Sequence, residues 1–349
     1  MYRNEILNKR YTHLQTLLAE KKDPEIFWLV RDLEARKMIS GLKDDNGTMR
    51  HEHGEMGEVI AKQLSSDSVV PYKADIVVNI PLTLEDLSRA LHESSGNMAS
   101  GRDDISYPLL RFWFKHEPEH MMSVVRNLVA NGCPQWQCAR TVLMTKVDKQ
   151  SYDVAKSWRM VHLLPTMAKV IDRMMLIQIS KEMKLGPTQF GSRKGHSCHD
   201  SFKITREFAK FHNFSNTRIM TMDVKGGFNN INTDMLLDIM MADSLNHEIL
   251  MWVKRWLSGR SMELKFNGQI SKVFNIDKGV PQGSPISPYL FGVYVRDLFK
   301  PRLKYIPGIS SLMCSYVDDG TIMVAGSSLR TMVSRITEMF EDANRIAMA

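Results

Sequence analysis

Three acids in this sequence have the types and spacing to do chemistry. Asp318 and Asp319 lie side by side in Tyr316-Val317-Asp318-Asp319 and interrupt a run that is apolar and strand-like on both sides. Two like charges about 4 Å apart repel by about 4 kcal/mol at an effective dielectric of about 20. A divalent cation removes that penalty. Mg²⁺ suits the pair because it is hard, takes oxygen ligands, and binds through one or two carboxylates while phosphates and water complete its shell. The third acid, Asp223, closes the apolar stretch 217–222. One strand-end carboxylate and two hairpin-tip carboxylates could hold two metals about 3.5 to 4 Å apart, which activates an attacking oxygen and steadies a leaving one. Phosphoryl transfer is the reaction class that fits. A solvated Asp-Asp turn and a strand-terminating acid are the plain readings of each piece alone; their combination favours the metal.

The flanking residues must position these acids. Ser310–Ser315 and Gly320–Ala325 predict two short strands joined by a tight turn, which lifts Asp318 and Asp319 to a hairpin tip. The branched and long apolar residues of Thr217–Met222 predict a buried strand ending at Asp223. Lys225-Gly226-Gly227-Phe228 then sets a cation, two flexible residues and a large ring just beyond the acid. Between these elements, 278–288 alternates prolines that fix φ with glycines that permit close approach. Ser284-Pro285 and Ser287-Pro288 each read as an N-cap and first helical residue, feeding a helix through 289–295 and leaving Gln282 on a stiffened loop.

In this order and at these spacings, the blocks resemble the reverse transcriptases, most closely those of non-LTR (LINE-type) retrotransposons. The resemblance rests on Ser100-Gly101-Arg102-Asp103-Asp104-Ile105, Gly191-Ser192-Arg193-Lys194-Gly195, Asp223 through Phe228, Gly279 through Pro285, and Tyr316 through Asp319. It runs from about residue 80 to the end. It implies a right-hand polymerase fold, with an antiparallel palm sheet packed on helices, and RNA-directed DNA synthesis. Asp223, Asp318 and Asp319 match the catalytic ligands of two Mg²⁺ ions, for which Mn²⁺ can substitute. Phe228 matches the steric gate that clashes with a ribonucleotide's 2′-hydroxyl. Gln282 and Gly283 match the contacts to the incoming nucleotide and its template partner. Lys146 and Arg159 match the cations on the triphosphate, a point charge and a planar fork. The implied partners are an RNA template, a DNA primer and dNTPs.

The domain organisation implied is a mainly helical extension over 1–75, fingers over 76–216 and palm over 217–349, stopping before a thumb. Five positions depart from the family pattern. Gly227 stands where alanine is usual, Asn229 where Asp is common and Met160 where proline follows the arginine, while Arg102 and Asp104 interrupt a Pro-Gly-Pro-Asp-Gly turn. None is a metal ligand. A truncated, inactive palm-like module that binds nucleic acid therefore stays open beside the polymerase.

Composition agrees with a polyanionic partner. The 349 residues carry 46 Lys plus Arg against 39 Asp plus Glu, a formal charge of +7. Four cysteines without paired ligand spacing point to a reducing compartment, and Cys133 with Cys138 has no second pair to complete a zinc site. His51-Glu52-His53 lacks the i, i+4 spacing of a zinc protease helix, and in His196–Asp200 the Ser197 and Asp200 pair reads as a helix start. The N-terminus shows neither a signal nor a transit pattern, and no apolar run nears the roughly 18 residues a bilayer requires, so an intracellular, soluble protein is expected.

Helical periodicity marks most of 1–70, with a turn at Asp44–Gly47, and continues over 85–130, while Met160 to Lys181 contains another amphipathic segment. From 234 to 257 the pattern is helix, break, helix, with Thr233 and Ser244 as caps. Asn267-Gly268 predicts a hairpin between 262–266 and 269–274. A last helix sets Leu329, Met332, Val333, Ile336, Met339 and Phe340 on one face, and Met174-Met175 and Met240-Met241 are expected as core filler. Helices and strands mix without a βαβ rhythm, which predicts an α+β fold with an antiparallel sheet.

Overall fold

A computed structural model describes residues 38–65, 70–94, 99–146, 149–224, 226–300 and 305–348. The helix expected around Leu14 to Leu33, and Lys225, lie outside the described residues. Along the chain come β1 (Leu42–Lys43), β2 (Met49–Arg50), α1 (His53–Ala61), α2 (Leu84–His92), α3 (Tyr107–His116) and α4 (Pro118–Asn131). Then follow β3 (Cys138–Thr145), β4 (Trp158–Leu163), α5 (Thr166–Glu182), α6 (Cys198–Phe211), β5 (Thr217–Asp223), α7 (Thr233–Ala242) and α8 (His247–Leu257). The rest is β6 (Ser261–Phe266), β7 (Gln269–Asn275), α9 (Ser287–Tyr294), β8 (Ser310–Tyr316), β9 (Asp319–Ala325) and α10 (Leu329–Met348). Helix and sheet are mixed and the strands of β5, β8 and β9 pair antiparallel, an α+β arrangement.

The chain divides into two compact units. The smaller takes Met1–Gln63, Thr141–Val161 and Leu264–Lys272. Its small β1–β2 hairpin turns where the sequence predicts, with Asp44 Oδ1 accepting from the Asn46 and Thr48 amides and Gly47 at φ 79°. Asn267 and Gly268 both have positive φ, as a two-residue primed turn requires, and join β6 to β7 in a sheet of order β4-β3-β6-β7.

The larger unit takes Leu64–Arg140, His162–Glu263 and Val273–Ala349. Its core is built on α5, where Val170, Met174 and Met175 are fully buried with Leu87 and Leu91 of α2 and Met121, Met122 and Val125 of α4. The adaptable thioethers do fill this core. The Met240-Met241 pair splits, because Met240 is buried while Met241 is 60% exposed. The amphipathic segment expected within 160–181 is α5, which starts at Thr166. Trp158, Met160 and His162 alternate inward along strand β4, and Pro165 stands at the N-cap of α5.

Other boundaries move for local reasons. Asn232 and Asn246, rather than Thr233 and Ser244, cap α7 and α8, each side-chain carbonyl accepting two amides of the first turn. Ser197 starts α6 as predicted, with Asp200 Oδ2 reaching back to its amide at 2.7 Å. Helix α9 begins at Ser287, which is its first helical residue rather than its cap. In α10, Met332, Met339 and Ala343 face inward, whereas Leu329, Val333 and Phe340 are exposed, so the apolar face is narrower than the sequence implies. Among the described residues no helix is long and apolar enough to cross a membrane.

Candidate active site

Strand β9 is the centre of a three-stranded sheet of order β5-β9-β8. Its register sets Asp319 opposite Asp223 on one side and Tyr316 on the other. Opposed residues in an antiparallel pair project to the same face with Cβ atoms about 4.5 to 5.5 Å apart. Asp223 and Asp319 therefore share one face at the end of the sheet, and both are exposed. Strand β5 is an edge strand of alternating burial, with Ile219 47% exposed, not the buried strand its apolar run predicts. Half-burial of β5 leaves Asp223 a polar side to face.

Asp318 occupies the two-residue turn with Val317. Its carbonyl accepts the Val224 amide at 3.2 Å, fastening the turn to the residue after Asp223. A methyl group built on Gly227 would stand 3.9 Å from Asp318 Oδ2, so this carboxylate lies beside the segment that leads to Phe228. The turn is strained. Val317 has φ 56°, in the left-handed region that a β-branched residue seldom enters, at the turn position where glycine is usual.

The 188–191 segment supports that strain from outside. Phe190 donates its amide to the Ser315 carbonyl at 2.9 Å, and Ser315 donates to Thr188 at 3.0 Å. A Cβ on Gly191 would fall 2.4 Å from the Val317 amide nitrogen, so a side chain here would displace the turn. The first glycine of the 191–195 block is thus a backing for the hairpin tip.

Phe228 lies in a short 3-10 turn, half-buried, stacked on Phe291 of α9 with ring centroids 5.2 Å apart. Its carbonyl accepts the Val280 amide at 2.8 Å, and Ile231 accepts the Gly279 amide at 2.9 Å, so the gate segment and the Pro/Gly loop are zipped together. Gln282 donates its side-chain amide to Asn229 Oδ1 at 2.8 Å. Its carbonyl accepts the His162 amide at 2.7 Å. Gly283, at φ 145°, presses on β4, where a methyl would come 2.1 Å from the His162 carbonyl oxygen.

Buried charge behind this loop was not legible in the sequence. Arg260 donates to the Gly279 carbonyl at 2.7 Å and to Lys278 at 3.2 Å. Asp172, inside α5, accepts from the Ser284 hydroxyl. Ser284 thus serves the loop rather than capping a helix. Burial pushes the Asp172 carboxyl up to about 7, against the opposing pull of its hydrogen bonds from Ser284 and Trp256. Burial and the neighbouring Arg260 charge push His162 down to about 3, and burial lowers Arg260 itself to about 10. No spacing rule marks such residues, because their partners are remote in sequence.

In the smaller unit, Lys146 follows β3 and Arg159 is exposed on β4. Lys146 Nζ donates to the Lys156 carbonyl at 2.9 Å. Burial, then the charges of Lys149 and Arg159, hold its pKa below the usual lysine range. The two cations are near enough to repel, which an anion between them would relieve.

The donor set of the acids is all hard oxygen, which fits Mg²⁺ or Mn²⁺. Among the described residues no three His, Cys, Asp or Glu side chains form a ready metal cluster. A magnesium site completed by substrate phosphates and water does not require one.

Residues 146–347 match the family described as reverse transcriptase (RNA-dependent DNA polymerase). The chain belongs to the reverse transcriptase family. It is 23% identical over 288 residues to the 115 kDa protein in the type-1 retrotransposable element R1DM of Drosophila melanogaster, covering 81% of this chain and 27% of that protein. It is 21% identical over 346 residues to the RNA-directed DNA polymerase from mobile element jockey of the same fly, covering 96% and 37%. The Pol polyprotein from element R1 of Bradysia coprophila is 22% identical over 253 residues, covering 71% and 24%. The chain spans between 20% and 37% of the length of the curated relatives it matches. Family members of this kind work with divalent metal ions, RNA templates and nucleotides.

Proposed function

We propose that this chain is the nucleotidyl-transfer portion of an RNA-directed DNA polymerase of a non-LTR retrotransposon, which extends a DNA primer on an RNA template with dNTPs. The observation that carries the reading is the register of Asp223 against Asp319 with Asp318 in the adjoining turn. Asp223, Asp318 and Asp319 would hold two Mg²⁺ ions, which when bound lower the charge on the triphosphate and on the primer 3′-oxygen. The protein's own part is placement. Phe228, backed by Phe291, would close the sugar pocket to a 2′-hydroxyl. Gln282 and Gly283 would meet the incoming base pair from the anchored loop. Lys146 and Arg159 would take the triphosphate. In this reading 76–216 serve as fingers and 217–349 as palm, with 1–75 an extension.

Primer extension by the purified chain on an RNA template, with Mg²⁺ and dNTPs, beside Asp318→Asn, tests the proposal. Extension that disappears in the variant supports it. RNA binding without extension by either protein would make the chain a binding module instead.

A further inference from the structure

The Pro/Gly loop that carries Gln282 and Gly283 is held at Gln282 itself, whose carbonyl accepts the His162 amide at 2.7 Å and whose side chain donates to Asn229 Oδ1 at 2.8 Å, and by anchors of two kinds on either side. Ahead of Gln282 they are backbone bonds, from Val280 to the Phe228 carbonyl and from Gly279 to Ile231, reinforced by the Arg260 guanidinium on the carbonyls of 278 and 279. Behind Gly283 the anchor is a side-chain pair. Ser284, 4% exposed, donates its hydroxyl to Oδ2 of Asp172, 2% exposed in the middle of α5. The same hydroxyl oxygen accepts the Ile286 amide at 3.3 Å, so one atom ties the loop both to α5 and to the start of α9.

Helix α5 is already the fixed reference of the larger unit. Its first turns hold the 99–105 block, through Thr166 to the Ile105 carbonyl and Lys169 to Ala99, each at 2.5 Å. Gly101 packs so closely on Pro165 that a Cβ would sit 2.5 Å from its nitrogen. A carboxyl buried in such a helix is costly, and an amide or alkyl side chain would serve packing better. Its use must lie in what it holds. At Gly283 the loop has little tolerance, because it abuts the His162 carbonyl, whereas Pro281 borders a cavity of about 80 Å³ lined also by Asp172, His162, Trp256 and Arg260 among others.

We propose that Asp172 is a positioning residue, which through Ser284 keeps the loop from sinking into this cavity and so fixes where Gln282 and Gly283 meet the incoming nucleotide. This rests on the reading of those two residues as nucleotide contacts. With the anchor gone, Pro281 can settle toward the cavity and pull Gln282 against its bonds to His162 and Asn229, while the hairpin with the catalytic acids is untouched.

Two readouts on the full chain separate the anchor from the nucleotide reading. Amide hydrogen exchange over 279–286 needs no activity. It should speed up about tenfold or more in Ser284→Ala and Asp172→Ala, as loss of a buried hydrogen bond implies, with 310–325 unchanged. Asp172→Asn, which keeps an acceptor oxygen, should stay near wild type. In kinetics, Ser284→Ala should raise KM for dNTP about tenfold and leave KM for primer–template unmoved. Asp172→Ala combined with Ser284→Ala should be no worse than the weaker single variant, because both cut one link. Unchanged exchange in Ser284→Ala overturns the anchor. Faster exchange with an unchanged dNTP KM overturns the positioning role and the nucleotide reading of Gln282, while the anchor stands. If the wild-type chain shows no Asp318-dependent extension, the proposed function fails and exchange alone decides the anchor.

Discussion

Asp223 lies directly opposite Asp319 across the β5–β9 ladder, two carboxylates on one face of an exposed sheet end. Like charges so placed destabilise a sheet by a few tenths to about 1 kcal/mol. Folding alone would not select this pair. Asp223→Asn should therefore raise the melting temperature slightly while abolishing primer extension, and Asp319→Asn should do the same for stability. Thermal melts in metal-free buffer, set beside extension assays, check both. A drop in melting temperature would mean that the carboxylates are held by structural bonds rather than kept for a cation.

Val317 and Gly191 form a second coupled pair. The left-handed φ of Val317 costs about 1 to 3 kcal/mol unless its surroundings hold it, and Gly191 leaves the space in which it is held. Gly191→Ala should cost about 2 kcal/mol or more and impair extension together with stability. Val317→Gly should gain about 1 kcal/mol, with activity reduced because the turn that carries Asp318 becomes looser. Denaturant melts of the two variants should shift in opposite directions.

Two departures from the family pattern are open to repair. A methyl at Gly227 would meet Phe291 at 3.7 Å and Asp318 Oδ2 at 3.9 Å, ordinary contact distances. Gly227→Ala should stabilise by about 0.4 to 1 kcal/mol by restricting the unfolded chain, and should raise the extension rate by stiffening the segment between Asp223 and Phe228. Asp104 has φ 52°, which explains why glycine suits that turn position. Asp104→Gly should add about 0.5 to 1 kcal/mol. Arg102 is a different case, since it pairs with Glu263 at 3.4 Å and its exposed guanidinium contributes little. Melting temperatures rank the two changes; a loss in Gly227→Ala would show that the segment must flex.

How much of this could be read from the sequence depends on how local the signal is. The hairpin at 310–325 was legible because apolar strands flank two acids, and the Asn267-Gly268 turn because its backbone needs are carried by two residues. Capping was less so: asparagine at 232 and 246 outcompetes the neighbouring hydroxyls through geometry that the sequence does not display. The amphipathic segment within 160–181 is legible from its own period, whereas β4 is not, because its alternation is short and runs into α5 across Pro165. The supports of the site, Asp172 under Ser284 and Arg260 under Gly279, are separated by 112 and 19 positions, and pairings across such gaps appear only once the chain is folded.

The same buried groups set opposite responses to pH. Asp172 has an ordinary value of 3.8 raised to about 7, so between these values the folded chain keeps a proton that the unfolded chain releases. Its stabilising contribution is complete below 3.8 and is lost as pH rises toward 7. His162 has an ordinary value of 6.5 lowered to about 3, so the unfolded chain takes a proton that the folded chain refuses. Its contribution is complete above 6.5 and is lost as pH falls toward 3. From about pH 4 to 6.5 the two slopes, each about 1.4 kcal/mol per pH unit, cancel. Lys169 and Arg173 lie beside Asp172, and Arg260 lies beside His162. Asp172→Asn should unmask the histidine, with stability rising by about 1.4 kcal/mol per unit from pH 4.5 to 6.5 relative to wild type. His162→Gln should show the reverse. Denaturant melts at pH 4.5, 5.5 and 6.5 measure both differences. Curves parallel to wild type in either variant would mean that its buried group exchanges protons with solvent as freely in the folded chain as in the unfolded one.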